Sequence, residues 1–243
     1  MNTADRSSPS VLGSAVSILM SILVIIPAAG SGSRFGGSIP KQFQPLAGKP
    51  IVQFVVERFL LSGIAGRIVV PVAEALLSVV NQAPQDRVQF VAGGETRQES
   101  VTRGLEAAGD EFDIVAVHDA VRPFFRASTL HALVDAAGEC GAAVPVLPVG
   151  DTIHVARDGS IVATVDRSTL VAAQTPQCFR MAVLRDALAR AAQEGFNATD
   201  EAGLAAHYGY DVRVVPGDPH NIKITRPEDF ALAEAHFEEW SRE

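Results

Sequence analysis

Short runs of uninterrupted apolar residues alternate along this chain with stretches whose apolar positions recur every three or four residues. Ser21–Pro27, Arg67–Val72, Arg87–Ala92, Asp113–His118 and Ala142–Pro148 are of the first kind and predict strands buried on both faces. Pro50–Ser62, Glu74–Gln82, Thr96–Ala108 and Ser128–Glu139 are of the second kind and predict helices. Pro50 suits a first helical turn, with Ile51, Phe54, Val55 and Phe59 along one side. Thr96 suits an N-cap, with Glu99 in the capping-box position. Strands that alternate with helices of this length imply α/β architecture: a mostly parallel sheet with helices on both faces. Ligands of such sheets lie at the carboxyl ends of the strands.

The rhythm breaks after residue 150. Asp151–Val155 and Ser160–Val165 flank Arg157-Asp158-Gly159, the signature of a β-hairpin turn. A projecting arm over roughly 151–173 is therefore expected. Helices at Met181–Glu194 and Asp200–Tyr208, a strand at Asp211–Val215 and a helix at Pro227–Trp240 complete the pattern. With no internal repeat and no long linker, the reading is one Rossmann-like domain, 20–243, plus its arm. Residues 1–19 read as a disordered extension, Ser-rich and then weakly apolar, and Met20 is a candidate translation start. The uncharged stretch Val11–Gly30 is long enough to span a bilayer or to pass for a signal peptide. Against both, its most apolar part is β-branched and runs straight into the glycine-rich loop that follows.

Composition narrows the function. Among 243 residues, 20 Lys+Arg stand against 28 Asp+Glu, a net charge of −8. That balance argues against a nucleic-acid surface but leaves room for a local cationic cluster. Cys140 and Cys178 suit neither a disulfide framework nor a metal site, and point to a reducing, cytoplasmic setting. The histidines are scattered without ligand spacing: His118 reads as a satisfied strand-end residue, and Phe124-Phe125 as packing.

The chemistry concentrates in the loop after the first strand, Gly30-Ser31-Gly32-Ser33-Arg34-Phe35-Gly36-Gly37, which leads to Pro40-Lys41. Glycines let main-chain N–H groups approach an anion, Arg34 can fork onto phosphate oxygens, and Lys41 adds a point charge. The combination suits a triphosphate. A P-loop is excluded, because no lysine follows Gly36 or Gly37. A dinucleotide fingerprint lacks its glycine at Phe35, though a nicotinamide-dependent oxidoreductase remains an alternative through Gly36.

Further along stand Gly93-Gly94, His118-Asp119-Ala120-Val121-Arg122-Pro123, Asp151-Thr152, Asp166-Arg167, Gln174-Thr175-Pro176-Gln177, Thr199-Asp200-Glu201-Ala202 and Asn221-Ile222-Lys223-Ile224-Thr225. With Pro27-Ala28-Ala29-Gly30 and Pro40-Lys41-Gln42-Phe43, this ordered set resembles the 2-C-methyl-D-erythritol 4-phosphate cytidylyltransferases of the non-mevalonate isoprenoid pathway, from about Ile22 to about Phe237. Ribitol-5-phosphate cytidylyltransferases share much of the set. Pro27-Ala-Ala-Gly, Asp166-Arg167 and the intact Thr199-Asp-Glu-Ala favour the former. No fused cyclodiphosphate synthase is expected.

The resemblance implies transfer of CMP from CTP to methylerythritol phosphate, with Mg²⁺ carried mainly by the CTP phosphates and no protein metal ligand assigned. It implies that Arg34 and Lys41 stabilise the transition state, and that Arg167 and Lys223 position the acceptor. It places Ala28, Ala29, Gly30, Gly94, Glu95, Ser100 and Ala120 along the nucleotide, with Glu95 where aspartate is common. Asp119, Arg122, Thr152, Thr175 and Thr199 match substrate-side positions. It also implies a homodimer in which the arms are exchanged, each completing the partner's site.

Overall fold

In chain order the elements are β1 (Ile22–Ile25), β2 (Pro45–Leu46), β3 (Lys49–Pro50), α1 (Ile51–Leu61), β4 (Arg67–Val72), α2 (Leu77–Val80), β5 (Val88–Ala92), α3 (Arg97–Ala108), β6 (Ile114–Val117), α4 (Ala127–Cys140), β7 (Ala142–Pro148), β8 (Ile153–Arg157), β9 (Ser160–Val165), β10 (Val171–Ala173), β11 (Gln177–Arg180), α5 (Met181–Glu194), α6 (Glu201–His207), β12 (Val212–Pro216) and α7 (Pro227–Trp240). The computed structural model describes residues 20–30, 39–80 and 86–240. The expected extension 1–19 lies outside the described residues, as does the part of the first loop that carries Arg34.

Every residue of β1 is apolar and buried, which a strand achieves only in the middle of a sheet with both faces covered. It pairs in parallel with β4 on one side and β6 on the other. The order across the sheet is β12-β7-β11-β6-β1-β4-β5, with β10 continuing the line of β11 beside the far end of β7. Side chains alternate between two cores. Ile22, Val24 and Ile26 pack with Phe59 of α1 and with Leu130 and Leu133 of α4. Leu23 and Ile25 pack with Val101 and Leu105 of α3 and Leu184 of α5. Helix α7 closes a third cluster over Leu46, Ile51 and Phe124.

The α/β, mostly parallel architecture matches the sequence reading, and β4, β7, α5 and α7 match it residue for residue. Four strands have no counterpart among the expected ones: β2, β3, β10 and β11. β11 enters antiparallel between β6 and β7, with Cys178 facing one core and Phe179 the other, both fully buried. The predicted helix 74–82 is a 3-10 turn at Glu74–Leu76 followed by α2 as far as Val80, and residues 81 and 82 lie outside the described residues. Leu77 and Val80 of α2 pack on the core.

The segment from Ile153 to Val165 pairs with itself. β8 and β9 form a separate two-stranded sheet, and Asp158 (φ 51°) and Gly159 (φ 78°) take the two left-handed positions of its turn. Strand β10, at the end of the predicted arm, instead pairs with β7 in the main sheet. Thr96 caps α3 by accepting from Glu99 N at 3.1 Å. The Glu99 carboxylate reaches past the cap to Glu95 N at 2.8 Å, a displaced form of the capping box. Helix α6 is capped by Asp200, which accepts from Gly203 N at 2.9 Å. Among the described residues, no helix is long and apolar enough to cross a membrane.

Candidate active site

Strands β1, β5 and β6 deliver their carboxyl ends to one cavity of about 300 Å³. One wall is the chain leaving β1, Ala28 to Gly30. Gln42 pins it: its buried side-chain amide donates to Ala28 O at 2.6 Å and to Gly30 O at 2.9 Å. Lys41 stands beside Gln42 in the 3-10 turn Lys41–Phe43 and lines the same cavity.

The opposite wall is the turn from β5 into α3. A Cβ at Gly93 would lie 2.4 Å from the Ala29 Cβ, and one at Gly94 would lie 2.3 Å from the Glu99 Cβ. Close approach of two backbones therefore requires both glycines. The Ser100 hydroxyl accepts from Gly94 N at 3.1 Å and donates to Thr96 O at 3.0 Å, so it shapes this turn. Glu95 sits at the rim, and Ala120 forms part of the floor.

Asp119 lies two residues beyond the end of β6. Its carboxylate meets Lys223 Nζ at 2.9 Å, Arg97 Nη2 at 3.3 Å and Arg122 Nε at 3.4 Å. Burial opposes a charge here, yet Arg97, Lys223 and Arg122 outweigh it and hold the carboxyl well below the ordinary carboxylate range. Burial likewise works against the Arg97 guanidinium. The carboxylates of Glu201 and Asp119 reverse that and keep it charged. Arg122 also donates to Asn221 O at 2.7 Å, which ties the Lys223 segment to the turn after β6.

Of the residues singled out in the sequence, Ala28, Ala29, Gly30, Lys41, Gly94, Glu95, Ser100, Asp119, Ala120 and Lys223 line this cavity together. Arg122 and the buried Thr175 stand directly behind Asp119. Thr199 is exposed just ahead of α6, and Thr152 is exposed at the root of the hairpin. Arg167 does not line the cavity; it bonds Gly150 O beside the hairpin. Arg34 lies outside the described residues.

Three residues of the site had no role in the sequence reading: Gln42, Arg97 and Glu201. Gln42 and Glu201 lay inside quoted motifs. Arg97 had one usable signal, a cation in the first turn of a helix, where the helix dipole disfavours it unless an anion compensates. The anions are Glu201 and Asp119.

The cavity gathers Lys41, Arg97 and Lys223 beside the Asp119 carboxylate and the Ala28–Gly30 backbone. Presented at the strand ends of a mostly parallel sheet, it places the protein among α/β nucleotide-binding enzymes. Comparison with known proteins sharpens this. The family model for 2-C-methyl-D-erythritol 4-phosphate cytidylyltransferase matches residues 22–239. Relatives bearing that name include proteins of Symbiobacterium thermophilum, 45% identical over 91% of this chain and 95% of that protein, and of Solibacter usitatus, 43% identical over 88% and 94%. The crystal structure of the Thermus thermophilus cytidylyltransferase superposes with a TM-score of 0.73 at 36% identity, covering 89% of this chain and 97% of that one. The Francisella tularensis structure gives 0.79 at 28% identity, covering 89% and 99%. The chain belongs to the 2-C-methyl-D-erythritol 4-phosphate cytidylyltransferase family of nucleotidyltransferases. That membership sets aside the nicotinamide alternative.

Proposed function

We propose that this chain transfers CMP from CTP to 2-C-methyl-D-erythritol 4-phosphate, releasing pyrophosphate. The observation that carries the reading is the meeting of Lys41 and Lys223, from remote parts of the sequence, in one cavity with Asp119 and the Ala28–Gly30 backbone. An acceptor phosphate oxygen attacks the α-phosphorus of CTP in line. The new P–O bond forms as the bond to the bridging oxygen breaks, and pyrophosphate leaves with that electron pair. A phosphate monoester is largely dianionic at neutral pH, so no general base is needed. The obstacle is repulsion between two polyanions.

Lys41, with Arg34, faces the triphosphate in this reading. Lys223 exchanges part of its pairing with Asp119 for the acceptor phosphate, and Asp119 accepts hydrogen bonds from acceptor hydroxyls. The glycine turn holds the base close to Gly94 and Ser100. Among the described residues, no group of three or more metal-ligating side chains occurs, so the donor set suits Mg²⁺ borne on the phosphates, where it would neutralise charge. The two free thiols suit a reducing cytoplasm.

The site is completed in this reading by a second copy. Arg167 and Thr152 belong to the hairpin region, and Val155, Ile161, Val162, Val171 and Val214 form exposed apolar surface on the hairpin and the neighbouring sheet edge. Exchange of hairpins across a twofold axis would cover these residues and bring Arg167 to the partner's acceptor.

The test is pyrophosphate release from CTP and Mg²⁺ with methylerythritol phosphate or ribitol 5-phosphate as acceptor. Preference for methylerythritol phosphate is expected, and preference for the pentitol phosphate would refute the assignment. Lys41→Ala and Lys223→Ala should each lower kcat/KM by about 100- to 1000-fold, as for lost transition-state charge stabilisation.

A further inference from the structure

Behind Asp119 lies a buried polar network that the mechanism above does not use. His118 is completely buried. Its ring lies edge-on to Phe59 at 5.3 Å and to Phe125 at 4.7 Å between centroids. Its Nε2 is 2.9 Å from Arg122 O, and its Nδ1 is 3.0 Å from Thr175 Oγ1. A carbonyl oxygen can only accept, so Nε2 carries the proton. Burial among aromatic rings disfavours a second ring proton, which leaves Nδ1 as an acceptor. The Thr175 hydroxyl therefore donates to Nδ1, and its oxygen accepts from Asp119 N at 3.0 Å. Each of these donors meets one acceptor.

The network reaches further. Arg122 N donates to Asp119 O at 3.1 Å and closes a tight turn. The His118 ring spans that turn, one nitrogen on its far end and the other on the Thr175 segment between β10 and β11. Asn221 Nδ2 donates to Thr175 O at 2.8 Å, joining the Lys223 segment to the same hub.

We infer that His118 is a positioning residue: as the Nε2–H tautomer it holds the Thr175 hydroxyl in the orientation that accepts the Asp119 main-chain N–H, and so sets where the Asp119 carboxylate meets Lys223 and Arg97. The inference deepens the cytidylyltransferase reading and rests on it for the role of Asp119. It assigns the Thr175 hydroxyl an internal duty and leaves acceptor recognition to the carboxylate that it helps to place.

The tautomer is read directly from a long-range ¹H–¹⁵N spectrum of the wild-type protein with labelled histidine. A protonated Nε2 and an unprotonated Nδ1 are expected for His118; the opposite tautomer overturns the inference. His118→Gln can keep the donor to Arg122 O but loses the Nδ1 acceptor, and Thr175→Val removes the hydroxyl. Each should cost about 10- to 100-fold in kcat/KM through the acceptor, with KM for CTP nearly unchanged, as expected for a small misplacement of one recognising group. The double variant should lose little more than either single one, since both break one link. Thr175→Ser should regain the acceptor KM lost by valine. Equal losses for both substrates, additive losses, or no rescue by serine would show a merely structural role. Should the wild type transfer no nucleotide to methylerythritol phosphate, the functional reading fails, while the spectrum still decides the tautomer.

Discussion

Asp119 carries its charge against the cost of burial because three cations surround it, whereas His118, its neighbour in the chain, is denied one. Burial lowers the His118 pKa from 6.5 to about 4. The sign follows: between these values an unfolded chain binds a proton that the folded chain refuses, so stability present above pH 6.5 is lost as pH falls toward 4. From about pH 7 to about pH 5 this one residue should remove about 2 kcal/mol of folding stability. Urea denaturation of the wild type and of His118→Gln at both pH values isolates the effect, because the variant lacks that titration. Parallel pH dependences in the two proteins would mean that the imidazole is charged in the fold. Asp119 adds nothing to the slope in this range, since its carboxyl is held below its ordinary 3.8 and ionised throughout. His118 was recognisable in the sequence as a satisfied strand-end residue. Its partners were not, because Thr175 is remote in the chain and is brought there only by β11.

At the scale of elements, the site depends on how closely β5 ends beside β1. Gly93 N donates to Val72 O at 2.7 Å, and a methyl group at Gly93 would have to occupy space held by Ala29. Gly93→Ala should therefore part the two walls, raising KM for CTP about tenfold or more and costing about 1–3 kcal/mol of stability through overpacking. CTP titration and thermal melts check both, and an unchanged KM would mean that the nucleotide does not lie between these walls. The double glycine and the Thr96 cap were legible, because turns and caps are decided by residues next to one another. The Glu99 carboxylate takes the Glu95 amide, a partner that the folded turn decides. Thr199 and Asp200, adjacent ahead of α6, are both residue types that cap helices. Asp200 takes the role in the fold, where its other oxygen accepts from Gln177 Nε2 at 2.7 Å.

At the scale of the whole molecule, Arg167 does not line the cavity, and Val155, Ile161 and Val162 of the hairpin are exposed. In a hairpin-exchanged dimer, Lys41 of one protomer would work with the partner's arm. Lys41→Ala and Arg167→Ala homodimers should each be nearly inactive. A mixed dimer of the two carries one doubly altered site and one intact site, so roughly half of the wild-type rate should return. Absence of rescue in a verified mixed dimer rules out shared sites. Ile161→Glu should shift sedimentation toward the monomer by placing a charge on the apolar face.

Local pattern in the chain was enough to specify the alternation of strands and helices, the two buried faces of β1, the hairpin turn at Asp158-Gly159 and the double-glycine turn at Gly93-Gly94. Those features depend on backbone preferences and on periodicities of two and of three to four residues, which neighbours in sequence settle. Tertiary structure alone decided that β11 enters the sheet antiparallel, that Arg97 and Glu201 join the Asp119 cluster, and that Arg167 does not line the cavity that Lys223 lines. Charge pairing and hydrogen bonding act through space over a few ångströms, so the partners of a side chain emerge only once remote segments are packed together.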